Sequence, residues 1–348
     1  MDTNEKYMFR CLELAKLGAG NVAPNPMVGC VIVHNEKIIG EGYHQNYGEA
    51  HAEVNAINSV INSALLKEST LFVNLEPCAH HGLTPPCSDL IVEKQIPEVI
   101  IGTIDSFAKV AGKGIEKLRK AGIDVKVGIL KNECRELNKR FFTFYEKNRP
   151  YIILKWAQTQ DGFIDIVRTE NEFGEPTWIT GEMALHRVHK MRADEDAIIV
   201  GTNTALKDNP SLTVRHCVGK NPVRIVLDRN LNLPENLNLF DNKVKTLVFN
   251  SIQNKENGNI SFVQIDFRKN ILPQILKELH NRKMQSLIVE GGKQLLDSFI
   301  NAELWDEAYV FKGDKKFQNG IQAPQISGKI VAAETLNSDK LTILKNKP

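Results

Sequence analysis

The 348-residue sequence contains no run of 18 apolar residues, and none follows its opening MDTNEKYMFR, so neither a membrane-spanning helix nor a secretory leader is expected. An excess of one charge is missing too. The chain carries 44 basic and 42 acidic residues, split 17 to 18 up to Asn148 and 27 to 24 after it, which argues against the basic surface of a nucleic-acid binder. Six cysteines are too few for a disulfide framework in so long a chain, which leaves thiols or metal ligands in a cytosolic protein. Internal repeats, low-complexity tracts and heptads are absent. What remains is an ordinary globular composition, 42% hydrophobic and 25% charged, in a length that predicts two domains.

Apolar strand-like runs alternate with helix-like segments in both halves, the pattern of an α/β protein. The first half reads as a helix over 5–17, strands at 28–33, 70–74 and 98–101, and helices over 51–62 and 87–94, the last entered from Pro85 and Pro86. A mixed stretch at 131–150 reads as a connecting helix and linker, so the domain boundary is placed at Asn148, giving 1–148 and 149–348. In the second half, strands are expected at 151–156, 196–201, 223–228, 246–250 and 286–290, a helix at 275–282, and a polar surface loop at 254–259.

The strongest chemical signal is His51-Ala-Glu53, followed by Pro77-Cys78 and, nine positions on, Cys87. One imidazole and two thiolates suit tetrahedral zinc and leave a fourth position for water, whose pKa zinc lowers to about 7. Glu53, beside the set but not in it, is then the carboxylate that moves protons. Hydrolytic deamination of a ring needs a proton on the ring nitrogen and another on the leaving amine, and one shuttling glutamate serves both steps. This is the arrangement of zinc nucleobase deaminases. The bland alternative is a structural zinc site with a fourth protein ligand. His80 and His81, in the intervening loop, are left outside the metal set. Cys11, Cys30, Cys134 and Cys217 are expected to be ordinary thiols.

Beyond that motif, Pro24 to Cys30 (PNPMVGC), Gly42-Tyr-His44, Leu75 to Gly82 (LEPCAHHG), Thr84 to Cys87 (TPPC) and Val110 to Gly114 (VAGKG) cover most of residues 1–148. They resemble the deaminase domain of the bifunctional riboflavin-biosynthesis deaminase/reductases. The resemblance implies a cytidine-deaminase-like three-layer domain, zinc on His51, Cys78 and Cys87, Glu53 as proton shuttle, and Asn25 and His44 as substrate contacts. Where that family has Asp-Pro-Asn-Pro, this chain reads Asp105-Ser106-Phe107-Ala108, and Leu83 replaces a basic residue. Asp105 and Lys113 remain candidates for the sugar phosphate.

In the second half, the strand at 286–290 runs into Gly291-Gly292 and a helix from Lys293, a turn that cradles phosphate or merely punctuates packing. Trp178-Ile-Thr180, Arg192, Ile198 to Thr204 (IIVGTNT) and Asp208 to Arg215 (DNPSLTVR) resemble the reductase domain of the same family, from Tyr151 to about Asp297. That resemblance implies a dihydrofolate-reductase-like α/β domain. Trp178, Thr204, Asp208 and the run Gly292, Lys293, Gln294, Leu295, Leu296 and Asp297 would bind NADPH. Lys155, Arg192, Leu212, Arg215 and Glu290 would face the substrate, although arginines are also common as plain surface charge. Pro176 and Arg229 stand where the family has serine, and four extra residues lie between Asp161 and Trp178. Contacts from these positions are not carried over, and Arg229 is a candidate for the cofactor's 2′-phosphate.

The expectation is a zinc- and NADPH-dependent enzyme acting on small pyrimidine ribosyl phosphates, with no nucleic-acid or membrane partner. It would deaminate 2,5-diamino-6-ribosylamino-4-pyrimidinone 5′-phosphate and then reduce the ribosyl group to ribityl. A homo-oligomer, dimer or tetramer, is implied by the resemblance alone. The rivals are a deaminase of nucleic-acid bases, which needs a basic groove, and a non-catalytic zinc-stabilised protein, which tolerates loss of Glu53.

Overall fold

The computed structural model describes residues 2–82, 85–107, 110–169 and 173–347. Leu83 and Ala108, two of the departures noted above, lie outside them. The chain divides into two compact units, Met1–Asn148 and Arg149–Pro348.

The first unit contains α1 (Thr3–Lys16), β1 (Gly29–His34), β2 (Lys37–Tyr43), α2 (Ala52–Ser59), β3 (Thr70–Leu75), α3 (Cys87–Glu93), β4 (Glu98–Thr103), α4 (Lys113–Lys120), β5 (Asp124–Val127), α5 (Lys131–Leu137) and α6 (Lys139–Lys147). Its sheet runs β2-β1-β3-β4-β5, with β1 antiparallel to both neighbours and the last three strands parallel. Alternation along the strands sends Val31, Val33, Phe72 and Ile100 to one face, where α1 covers them with Met8, Cys11 and Leu12. Cys30, Ile32, Leu71, Val73 and Ile101 face the other way, onto α2, α3 and α4. The result is a three-layer α/β/α unit. Helix α1 starts earlier than the apolar period suggests because Asp2 and Glu5 form a reciprocal capping box.

The stretch 131–150, expected as a connecting helix and linker, is helical over nearly its whole length and belongs to the first unit up to Asn148. It forms α5 and α6, which bury Cys134, Phe141, Phe142 and Phe144 there.

The second unit is a ten-stranded sheet. It contains β6 (Tyr151–Gln158), β7 (Phe163–Asp165), α7 (Glu182–Asp194), β8 (Ala197–Val200), α8 (Thr202–Asp208), β9 (Val223–Leu227), β10 (Thr246–Asn250), β11 (Lys255–Asn257), β12 (Ile260–Gln264), α9 (Ile271–Asn281), β13 (Ser286–Val289), α10 (Lys293–Asn301) and β14 (Glu307–Lys312), followed by β15 (Ile321–Gln322), β16 (Lys329–Leu336) and β17 (Asp339–Lys345). The order is β11-β12-β10-β9-β8-β13-β6-β14-β17-β16, parallel from β12 through β14, while β7 and β15 pair separately. Both faces of this parallel core are covered, by α9 and α10 on one side and α7 on the other, which is why its strands read as unbroken apolar runs. The polar stretch 254–259 is not all loop: Lys255–Asn257 pairs with β12 as a short, exposed edge strand.

Candidate active sites

In the first unit, His51 immediately precedes α2, Cys78 lies in the segment after β3, and Cys87 opens α3 behind Pro86. Nδ1 of His51 sits 3.6 Å from Cys78 Sγ and 3.3 Å from Cys87 Sγ, and the three donor atoms lie within 4.8 Å of one another. Tetrahedral zinc, with bonds of about 2.0 Å to nitrogen and 2.3 Å to sulfur, places such ligands roughly 3.5 Å apart, so the cradle fits the ion in donor type and in span. The Cys87 main-chain N–H, at the start of α3, points at Cys78 Sγ from 3.3 Å. The Cys78 thiol is pulled down to about 4, chiefly by the Cys87 thiol that donates to it, and Cys87 is pushed up by the same contact. His51 is raised through its contact with Cys78. Among the described residues, no other group of three His, Cys, Asp or Glu side chains converges in this way.

Glu53, in the first turn of α2, is 3% exposed, and that burial raises its pKa against the opposing pull of His51. A carboxyl group so placed binds a proton more readily than an exposed one, as a proton carrier requires. The ring of His44 packs edge-on to His51 with centroids 5.3 Å apart. His44 Nδ1 lies 3.1 Å from the Ala50 carbonyl and Nε2 lies 3.1 Å from Asn25 Nδ2, so a neutral ring donates to the former and accepts from the latter. Burial lowers the His44 pKa and favours that neutral form. Asn25 is thereby held beside the cradle.

Three residues that the sequence reading passed over build the supports. Asn138 accepts the Met27 N–H at 2.8 Å and donates to the Met27 carbonyl at 2.9 Å, while Asn74 accepts the Gly29 N–H at 2.8 Å and donates to the same Met27 carbonyl. Together they clamp the segment that carries Asn25. Glu76, buried two residues before Cys78, accepts four main-chain N–H groups, from Asp105, Gly112, Gly114 and Ile115, at 2.9 to 3.2 Å. Gly114 must be glycine here, since a Cβ would stand 2.0 Å from the Pro77 carbonyl oxygen. Glu76 lay inside the LEPCAHHG motif, but its role depends on a segment 29 to 39 residues away. Asp105 is pushed up to about 7 by burial, with Glu76 and Cys78 adding repulsion.

In the second unit, a cleft of about 1790 Å³ opens beyond the C-terminal ends of β6, β8, β9 and β13, where parallel α/β sheets bind ligands. The structure brings all fourteen reductase candidates to its lining: Lys155, Arg192, Leu212, Arg215 and Glu290, with Trp178, Thr204, Asp208 and Gly292 to Asp297. Leu212, Leu295 and Leu296 line it from buried positions. At one wall Arg192 grips Glu290 with Nη2, 2.9 and 3.2 Å from the two carboxylate oxygens, and Lys155 Nζ lies 3.4 Å away. Burial works to raise Glu290, but Arg192 and Lys155 outweigh it and hold the carboxylate at about 2; burial lowers Lys155. At the other wall Gly292 precedes α10 with no side chain capping the helix, which leaves its first N–H groups for an anion, and a Cβ on Gly292 would come within 3.1 Å of Thr204 Oγ1. This glycine cradle fits a diphosphate. Lys293 and Asp297 pair with each other at 2.5 Å.

Arg168, also missed, lies in the stretch between Asp161 and Trp178. Its buried guanidinium bonds Asp165 and Asp208 at 2.9 Å each and the carbonyls of Glu175 and Lys207, tying that stretch to α8. Asp208 stands at about 6, raised by burial and partly restored by Arg168. Pro176 and Arg229 line the cleft as well, with the Arg229 guanidinium 5.9 Å from the centre of the Phe267 ring.

Two protein-family models match the chain: the cytidine and deoxycytidylate deaminase zinc-binding region over residues 1–103, and the RibD C-terminal domain over 150–313. The chain is 41% identical over 329 residues to riboflavin biosynthesis protein RibD of Aquifex aeolicus, covering 92% of this chain and 89% of that protein. It is 35% identical to the Escherichia coli protein of the same name, covering 90% and 88%. A crystal structure of a diaminohydroxyphosphoribosylaminopyrimidine deaminase/5-amino-6-(5-phosphoribosylamino)uracil reductase from Thermotoga maritima matches 99% of both chains, with a TM-score of 0.87 and 37% identity. Acinetobacter baumannii RibD matches with a TM-score of 0.89 at 30% identity, again over 99% of both chains.

Proposed function

Because the chain belongs to the RibD family of riboflavin biosynthesis proteins, we propose that residues 1–148 form its zinc-dependent pyrimidine deaminase and residues 149–348 its NADPH-dependent reductase. The protein is a bifunctional enzyme of riboflavin biosynthesis. It hydrolyses the amino group of 2,5-diamino-6-ribosylamino-4-pyrimidinone 5′-phosphate and then reduces the ribosyl group of the resulting uracil to ribityl. The observation that carries this assignment is the meeting of one imidazole and two thiols beside a buried carboxylate.

Zinc held by His51, Cys78 and Cys87 supplies the Lewis acidity that brings the pKa of water near neutrality. Glu53 takes one proton from the attacking water and passes it to the ring nitrogen, then takes the second from the newly added hydroxyl and passes it to the amine, which departs as ammonia. Asn25, steadied by neutral His44, orients the pyrimidine. In the second unit NADPH supplies the hydride for C1′ of the sugar, and no protein nucleophile is required. Gly292 and the main-chain N–H groups of Lys293 and Gln294 would take the cofactor's diphosphate, while Leu295, Leu296 and Asp297 line the same end of the cleft; the Leu295 and Leu296 N–H groups already bond the Gly292 carbonyl, and the leucine side chains belong to the core. Trp178, Thr204 and Asp208 line the same cofactor. Lys155, Arg192, Leu212, Arg215 and Glu290 hold the substrate, the guanidinium groups meeting its phosphate with charge-assisted bonds. A cytoplasmic setting and, on the resemblance alone, a dimeric or tetrameric assembly complete the proposal.

The test is a panel: the zinc-loaded protein given the diaminopyrimidine phosphate, free cytidine, or tRNA, with ammonia release and NADPH consumption followed. Turnover of the first alone, with NADPH consumed only after deamination, is the expected result. Release from tRNA or cytidine at a comparable rate, or from none of the three, overturns the proposal.

A further inference from the structure

His189 and Arg192 stand one turn apart on α7, and both line the second unit's cleft. His189 is completely buried. Its Nδ1 lies 3.0 Å from the main-chain nitrogen of Arg215. A backbone amide can only donate, so this ring nitrogen must be the bare acceptor, and the proton of the neutral imidazole sits on Nε2. The segment around Arg215 is tied at two more points: Arg192 Nη1 donates to the Thr213 carbonyl at 3.3 Å, and Arg215 Nη1 donates to Thr213 Oγ1 at 3.0 Å. One short stretch therefore hangs from α7 by a histidine and an arginine, and it presents a second arginine.

The charges there have a consequence for the ligand. At this wall Lys155, Arg192 and Arg215 surround one carboxylate, Glu290, and two of these cations are already committed to it; the other carboxylates of the lining, Asp165, Asp208 and Asp297, pair with Arg168 and Lys293. Arg215 has no carboxylate partner among the described residues and is exposed. With His189 neutral the four charges sum to +2, the complement of a phosphate monoester dianion. Burial, with Arg192 and Arg215 nearby, keeps His189 down at about 4, so the ring accepts rather than donates at Nδ1.

We propose that His189 is a positioning residue for the reductase substrate: its bare Nδ1 fixes the main chain of Arg215 so that the guanidinium meets the substrate's phosphate. This rests on the reading above that Arg215 takes that phosphate. The experiment uses the full chain with the deaminated substrate and NADPH, comparing His189→Leu, His189→Asn, His189→Gln, Arg215→Ala and the double variant Arg215→Ala/His189→Leu. Asn keeps an oxygen where Nδ1 lies, whereas Gln places its amide nearer the position of Nε2. Loss of the bond in His189→Leu and His189→Gln should raise KM for the phosphorylated substrate about tenfold, the upper end of one neutral hydrogen bond, with kcat and KM for NADPH little changed. His189→Asn should stay close to the parent. On the Arg215→Ala background, His189→Leu should add almost nothing, since both changes remove one interaction. The inference is overturned alone if Arg215→Ala raises KM but the Leu and Gln variants do not, if their effects add in full to that of Arg215→Ala, or if folded His189→Asn is as impaired as His189→Gln. An unchanged KM in Arg215→Ala overturns the phosphate reading with it.

Discussion

Replacing Glu53 by Gln exchanges one oxygen for an amide nitrogen in a side chain that is 3% exposed, so shape and packing are kept and only the capacity to carry a proton is lost. A positioned acid or base contributes about 10² to 10⁴ in rate, and Glu53 is assigned several transfers in one turnover, so deamination should fall by about 10⁴ or more, near 5 kcal/mol in the barrier. Unfolding is not the expected cause. A carboxyl group raised by burial costs stability as pH climbs above its unfolded value, and the amide removes that cost, so at pH 7 the variant should be at least as stable as its parent. His51, Cys78 and Cys87 remain, and elemental analysis should still find one zinc per chain. Given already deaminated substrate and NADPH, the variant should match the parent's rate. Surviving deamination would dismiss Glu53 as the proton carrier. Loss of both activities in a folded, zinc-loaded protein would refute independent sites in the two units.

Glu76→Gln leaves a single acceptor oxygen for the four N–H groups now shared between two, and it aims an amide donor at the others. The first unit should lose about 2 to 4 kcal/mol in denaturant unfolding and bind zinc more weakly in a chelator competition, and unchanged values would mean that the loop does not depend on Glu76. Asp105 titrates at 3.8 when unfolded and about 7 when folded, so the folded state binds more protons in between and stability falls as pH rises through that window, by at most about 4 kcal/mol. Asp105→Asn should flatten that slope and exceed the parent's melting temperature above pH 7; parallel melting curves from pH 4 to 8 would refute this. Arg229→Ala should cut the preference for NADPH over NADH about 10- to 150-fold if its guanidinium meets the 2′-phosphate, and equal ratios of kcat/KM in parent and variant would remove it from that role.

The metal cradle was legible because its chemistry resides in residue types: a histidine and two cysteines spaced for an ion leave few other readings. Long buried strands such as Tyr151–Gln158 and Thr246–Asn250 were equally plain as apolar runs. Strand β2 was not, because Gly40 and Gly42 interrupt its pattern; a Cβ at Gly42 would stand 2.3 Å from the Ala56 nitrogen, so glycine lets α2 lie directly on the strand. The charged letters of 131–147 showed a connecting helix but not that it is two, α5 and α6, which bury three phenylalanines and a cysteine in the first unit. Edge strands β11 and β16 are mostly exposed on both faces and so carry no alternation to read. Glu76, Asn138, Arg168 and His189 act through partners in other segments, and nothing in their neighbours along the chain marks them out. Spacing suggests the ligands of an ion, but not the amides that a buried carboxylate gathers.

The sheet order of the second unit has a consequence for synthesis on the ribosome. Strand β6 is among the first elements of that unit to emerge, yet it lies between β13 and β14, which follow it by about 130 and 150 residues. At the 5 to 20 residues per second typical of translation, its apolar backbone waits on the order of ten seconds or more with neither neighbour available. A nascent strand reading Tyr-Ile-Ile-Leu is a template for unwanted pairing during that interval. The first unit has no such delay of its own, since its sheet is complete once Val127 has emerged and α5 and α6 follow within twenty residues. Chaperone demand during biogenesis therefore falls on the second unit, and slowed translation between Gln158 and Ser286 would lengthen the exposure of β6 while leaving the metal-binding half untouched.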